Sequence, residues 1–263
     1  MASFRKIGIV GGVGPYAGIL LNKMIFDESR ADCDRDYPEV YLLSASGRIS
    51  DRTEYILSPE LSVNPAYAIA DIAQMLETLG AEVIVIPCNT AHSPIIFSVI
   101  QREIKRRKIK ARLINMVNEV ISEIMLLRKR EHKINMKIGL FATKGTNRSG
   151  VYRNAIERSA GLEFVPLPDD YIDLVHDTIY NREYGLKATG EAVSDRVVED
   201  LSTAMDYLVA KGADCIIFGC TELSMAIPRL KSVVPVVDTL RVLALAALRK
   251  KYTVADIVKS ASK

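Results

Sequence analysis

The sequence predicts an α/β fold: two duplicated, pseudo-symmetric α/β lobes with mostly parallel sheets and a cleft between them. Three observations carry this. Short apolar runs rich in β-branched residues alternate with segments of helical period. KIGIVGGVGP, starting at Lys6, reappears as KIGLFATKGT at Lys137, 131 residues on. GAEVIVIPCNT, residues 80–90, reappears as GADCIIFGCTE, residues 212–222, 132 residues on. Two unrelated pairs with nearly one offset indicate duplication of a unit of about 130 residues.

The elements follow in order. Apolar runs at 7–10, 40–43, 83–86 and 112–114 read as strands of the first unit. Runs at 137–141, 163–165, 215–218 and 234–237 read as strands of the second. Helical patterns fill 66–79, 93–108, 117–130, 151–159 and 195–211. The apolar helix after Asp238 resembles the one after Asn115 and is expected to cross back onto the first unit. The expected division is therefore residues 1–111 with 238–263 as the first lobe, and 112–237 as the second.

Composition narrows the function classes. The 263 residues are 49% hydrophobic and 25% charged, which supports a folded core rather than global disorder. A net charge of +3 gives no reason to expect nucleic acid or a membrane surface as partner. With no Trp and 6% aromatics, a stacking platform for bases is not expected. No apolar run spans a bilayer, and the apolar stretch near the start is short and broken by glycines, so no signal peptide is expected. A cytoplasmic protein with four free thiols is the expectation. The basic run at 101–112 reads as a solvated helix face.

The cysteines raise the chemical question. Cys215 lies inside a strand pattern and reads as a small buried hydrophobe. Cys33, in a polar stretch, has no visible role. Cys88 and Cys220 each stand where a strand ends and a helix is expected, where helix N–H groups lower a thiol's pKa towards neutrality. A zinc site is disfavoured: Cys88 and His92 have C-x3-H spacing, but no CxxC is present and four ligands are not in view. His92 is expected to cap or pack. A redox pair fits a mirrored arrangement poorly. Two thiols facing one cleft can instead take a proton from one face of a carbon acid and return one to the other, which is racemisation.

IPCNTAH, FGCTEL and the opening KIGIVGGVGP resemble the aspartate/glutamate racemase superfamily, over nearly the whole chain. Glu222 after GCT, where glutamate racemases carry a histidine, resembles the aspartate racemase branch. The resemblance implies a cofactor-independent isomerase that needs no pyridoxal phosphate and no metal, acting on an acidic amino acid and forming a homodimer. It implies Cys88 and Cys220 as the two acid/bases, Cys220 acting on the L enantiomer and Cys88 on the D enantiomer. It places Asn89, Thr90 and Thr221 on the substrate α-carboxylate and amine, Arg52 in SDRTEYIL on a carboxylate, and Lys187 in YGLKATG as a second cation. Thr143 and Thr146 of ATKGT, with Glu222, complete the expected contacts, while Lys144 stands where relatives have threonine and could alter which side chain fits. GGVGPYAG lacks the third glycine of a dinucleotide loop and reads as a tight turn, Val13 within it, that offers backbone N–H groups to an anion. A broad-specificity or glutamate-preferring racemase, a maleate-isomerase-like enzyme and a non-catalytic binder remain as alternatives. The pair of cysteines argues against single-thiol decarboxylase relatives, and against a pure binder, which needs neither thiol.

Overall fold

The computed structural model describes residues 4–249. The tail of the expected first lobe, residues 250–263, lies outside the described residues. Two four-stranded parallel sheets form the frame. The first holds β1 (Ile7–Gly11), β2 (Val40–Ser44), β3 (Val83–Val85) and β4 (Arg112–Leu113) in the order β2-β1-β3-β4. The second holds β5 (Met136–Phe141), β6 (Leu162–Phe164), β7 (Cys215–Phe218) and β8 (Val236–Asp238) in the order β6-β5-β7-β8. The orders are the same when each strand is matched to its repeat, and β1 pairs with β3 as β5 pairs with β7.

Eleven helices are described: α1 (Pro15–Ser29), α2 (Arg52–Leu57), α3 (Ala66–Thr78), α4 (Pro94–Arg106), α5 (Met116–Arg130), α6 (Lys144–Ser149), α7 (Val151–Glu157), α8 (Asp169–Tyr180), α9 (Leu186–Thr189), α10 (Asp195–Ala210) and α11 (Thr239–Ala247). The helices and strands expected from periodicity are present with ends displaced by one or two residues. The sequence reading does not single out α1, α2, α6, α8 or α9, and Gly18 interrupts the pattern of α1. That glycine lets α1 lie close to β2: a Cβ there would meet Leu42 Cδ1 at 3.1 Å, a tight contact.

The exchange of helices ties the lobes together. Following β4, α5 packs on α7 and β8. Following β8, α11 packs on α1 and β3. Asn115 and Asp238 start these helices in the same way, their side chains accepting the N–H groups of Asn118 and Leu240. One apolar core therefore runs through both lobes, from Ile7, Ile9 and Leu21 through Val120, Ile124 and Leu243 to Ile138 and Tyr152. Each sheet's other face has its own core, under α3 and α4 in the first lobe and under α8 and α10 in the second. The basic run on α4 is partly neutralised, Arg106 and Arg107 both pairing with Glu103. Among the described residues no helix is long and apolar enough to cross a membrane.

Candidate active site

The carboxyl ends of parallel strands are where an α/β sheet offers space to a ligand. Here the ends of both sheets converge on one nearly closed cleft of about 10 Å³, lined by Cys88 and Cys220 together. Both thiols are buried, each with 8% of its surface exposed. Pro87, which has no N–H to give, follows β3 and closes the ladder before Cys88. In the second lobe Gly219 donates to the Phe141 carbonyl at 2.7 Å and turns the chain towards Cys220. Each cysteine leads into a short 3-10 turn, Thr90–His92 or Thr221–Met225, and not directly into an α-helix. The expected helix N-terminus is therefore missing, and Cys220 does not approach neutrality. Burial pushes its thiol well above the ordinary value, and the Glu222 carboxylate pushes it further. Its Sγ donates to Glu222 Oε2 at 3.1 Å.

Glu222 is buried and forms an ion pair with Lys187 Nζ at 2.5 Å. Burial works to raise its pKa, but Lys187 outweighs this and holds it at about 2. Burial likewise opposes the Lys187 ammonium, yet the Glu222 carboxylate holds its pKa above the usual value. The turn after β1 accommodates Glu222: a Cβ on Gly14, at φ +153°, would lie 2.6 Å from Glu222 Oε1. The repeat provides a counterpart in Gly145, where a Cβ would lie 2.8 Å from Thr53 Cα. At equivalent turns, each lobe thus uses a glycine to admit the other.

Arg52, at the start of α2, is 7% exposed and forms no ion pair among the described residues. Its Nη2 donates to the Val13 carbonyl and its Nη1 to the Ser50 carbonyl at 3.3 Å. Its Nε has no partner. Burial opposes its charge, but Cys88 and Asp51 nearby keep the guanidinium protonated. Val13 thus meets the cleft chiefly as the carbonyl that holds Arg52. A buried guanidinium without a carboxylate is costly, and it is suited to an arriving anion.

Around these charges lie hydroxyls. Thr90 Oγ1 meets Thr146 Oγ1 at 2.8 Å and Thr143 Oγ1 at 3.5 Å, across the lobes. Thr221 Oγ1 bonds to Glu222 Oε2 at 3.0 Å and to the Pro87 carbonyl at 3.3 Å. Thr143 lines the cleft, while Thr146 stands behind Thr90 and Thr143. Asn89 lines it too, but its amide is taken up by the protein. It accepts from Tyr152 Oη and donates to Thr239 Oγ1 at 3.1 Å, and Thr239 donates to the Phe218 carbonyl at 2.8 Å. Lys144 does not line the cleft: it pairs with Asp173 at 2.9 Å on α8. His92 packs, as expected, on Phe97 and bonds to the Cys88 carbonyl. Cys215 is wholly buried in β7, and burial carries its thiol up to about 12.

Sequence reasoning missed two tyrosines. Tyr180, at the end of α8, lines the cleft, lies 5.2 Å under Lys187 Nζ and donates to Asp51 Oδ2 at 3.2 Å in the other lobe. Tyr152, on α7, is fully buried behind Asn89. Neither sits in a motif, and only the spatial arrangement exposes them.

The fold is that of a two-lobed α/β protein with a thiol-bearing, charged cleft between its lobes. The chain belongs to the Asp/Glu/hydantoin racemase family, whose model matches residues 10–247, and is an enzyme of the racemase type. It is similar to the broad specificity amino-acid racemase RacX of Bacillus subtilis (strain 168), 26% identical over 239 residues, covering 89% of this chain and 92% of that one. Among solved structures, the Picrophilus torridus aspartate racemase matches with a TM-score of 0.71 at 24% identity, covering 96% of this chain and 98% of the other. An aspartate racemase homologue from Pyrococcus horikoshii OT3 matches with a TM-score of 0.67 at 25% identity, covering 99% and 100%.

Proposed function

We propose that the chain interconverts L- and D-aspartate without a cofactor, using Cys88 and Cys220 as its two acid/bases. One observation carries this reading: equivalent thiols from the two repeats share one cleft with a buried guanidinium that forms no ion pair among the described residues. Arg52 binds a substrate carboxylate through its unpartnered Nε edge. One thiolate removes the α-proton while the opposite thiol protonates the other face of the carbon. Hydroxyls and backbone N–H groups beside each cysteine receive the charge that develops on the carboxylate. Lys187 and Tyr180 bound the space for the side chain. On this reading the lobes are residues 1–111 with 238–263 and residues 112–237, and the enzyme is a cytoplasmic homodimer.

The Glu222–Lys187 pair favours a second reading. Lys187 is already neutralised, so a second substrate carboxylate competes with Glu222 for it. Arg52 is then the cleft cation without an ion-pair partner among the described residues, and amino acids with neutral side chains also fit, as in a broad-specificity racemase.

The test is α-proton exchange in heavy water with the pure protein and no added cofactor. L-aspartate, D-aspartate, glutamate and a panel of neutral amino acids are each followed for loss of the α-proton signal and appearance of the other enantiomer. Exchange with racemisation, lost in both Cys88→Ser and Cys220→Ser, is the expected result. No exchange with any amino acid overturns the proposal, and exchange confined to neutral amino acids selects the second reading.

A further inference from the structure

The repeat makes the two halves of the cleft comparable position by position, and at one position they differ in charge. Cys88-Asn89-Thr90 in the first lobe corresponds to Cys220-Thr221-Glu222 in the second. Thr90, neutral, turns towards Thr143 and Thr146. Glu222, its counterpart, places a carboxylate oxygen 3.1 Å from Cys220 Sγ. The cations differ too. Lys187, on the Cys220 side, is spent on Glu222 at 2.5 Å. Arg52, on the Cys88 side, forms no ion pair among the described residues and leaves its Nε without a partner.

We propose that Glu222 is a positioning residue that makes the two thiols inequivalent: it holds Cys220 as the protonated member of the resting pair and leaves Cys88, beside Arg52, to carry the thiolate. A thiol donating to a carboxylate at this distance is stabilised, whereas a thiolate there meets a second anion in a buried site. The groups facing Cys220 are Glu222 on its own segment, Lys187 on α9, Tyr180 on α8 and Tyr152 on α7. Those facing Cys88 are Arg52 on α2 and Tyr152. Burial raises both tyrosines above their ordinary values, so neither supplies a charge near neutral pH.

The assignment of roles rests on the racemase reading; the inequivalence of the thiols does not. In racemisation the resting form accepts the enantiomer whose α-hydrogen faces Cys88. The Cα–H bond breaks, its proton passes to Cys88 Sγ and the electron pair stays on the substrate. The Cys220 S–H bond then gives its proton to the opposite face. The enzyme is left with Cys88 as thiol and Cys220 as thiolate beside Glu222, the less stable arrangement, until solvent exchanges the protons back. Enantiomers have equal free energy, so kcat/KM is the same in both directions. The bias appears in kcat and KM separately.

The experiment is alkylation of the full chain by iodoacetamide across a pH series, with Cys88 and Cys220 quantified separately by peptide mass spectrometry. The pH midpoint of each rate reports ionisation whatever the access. In the wild type the Cys88 midpoint lies below that of Cys220. Glu222→Gln removes the carboxylate and frees Lys187, so the Cys220 midpoint falls by about one unit, about tenfold more thiolate at fixed pH. Lys187→Gln leaves Glu222 unneutralised, so the same midpoint rises. Cys88 moves less than Cys220 in both variants. Loosened packing would shift both variants in one direction, so opposite signs separate an electrostatic role from a structural one. A wild-type Cys220 midpoint at or below that of Cys88, or shifts of the same sign in the two variants, overturns the inference. If the titration pattern appears without α-proton exchange, the inference stands and the racemase reading falls.

Discussion

His92 makes the protein acid-sensitive in a way that can be worked out from its surroundings. The ring is 3% exposed and stacked on Phe97, with centroids 4.8 Å apart. Nδ1 lies 2.9 Å from the Cys88 carbonyl, which can only accept, so Nδ1 carries the hydrogen. Nε2 is then a bare lone pair with no partner, and protonation would put a charge on a buried atom. Burial lowers the pKa from 6.5 to about 4, against the smaller opposing pull of the Cys88 and Ile114 carbonyls. The folded state thus binds this proton less readily than the unfolded chain. Its contribution is complete above pH 6.5 and is lost as pH falls from 6.5 through 4. A difference of about 2.5 units at about 1.36 kcal/mol each gives about 3 kcal/mol. That is a large part of the ~5–15 kcal/mol that holds a typical domain folded. Urea unfolding of wild type and His92→Phe, from about pH 8 to about pH 4.5, measures it. The variant keeps the stacking and loses the hydrogen bond, about 1 kcal/mol, so it starts less stable. Its stability changes less with pH, so the two curves cross on acidification. Parallel curves over this range would refute the reasoning.

Two further predictions follow from the side chains around the cleft. Tyr152→Phe leaves Asn89 Oδ1 buried without its donor and is expected to cost about 1–3 kcal/mol in urea unfolding, with Thr239→Val showing coupling, not additivity, in the double variant. Lys144→Thr removes an exposed ion pair to Asp173 away from the cleft. It should leave the ratio of kcat/KM between aspartate and neutral amino acids within about twofold, and a tenfold change would show that Lys144 reaches the substrate.

Repetition made the architecture readable. A strand of four residues is ambiguous by itself, but Cys215–Phe218 repeats the layout around Val83–Val85, and both place a cysteine just past the strand. The same repeat strengthened the case for Cys88 and Cys220, whose place at strand ends already set them apart from Cys215 within its strand. Arg52 and Lys187 came only from resemblance. Their distinction is electrostatic, since one is uncompensated and the other paired, and it depends on partners elsewhere in the chain. Tyr152 and Tyr180 were illegible for the same reason: their hydroxyls bond to residues 63 and 129 positions away. The expected helix after each cysteine failed locally. Ser93 and Pro94 restart the chain after Thr90–His92, so α4 begins too late to place its N-terminus at Cys88.

Enantiomers differ by reflection, and a chain of L-residues contains no reflection. Two copies of one unit within a protein can be related only by rotation. Rotation suffices to bring the same chemical group to a flat carbon from opposite sides, but it does not carry the other substituents of that carbon onto themselves. A perfectly duplicated cleft would therefore handle the two hands of a substrate through mismatched surroundings. The departures from duplication, Arg52 without an ion-pair partner and Glu222 opposite Thr90, are where the protein can compensate for the mirror it cannot build.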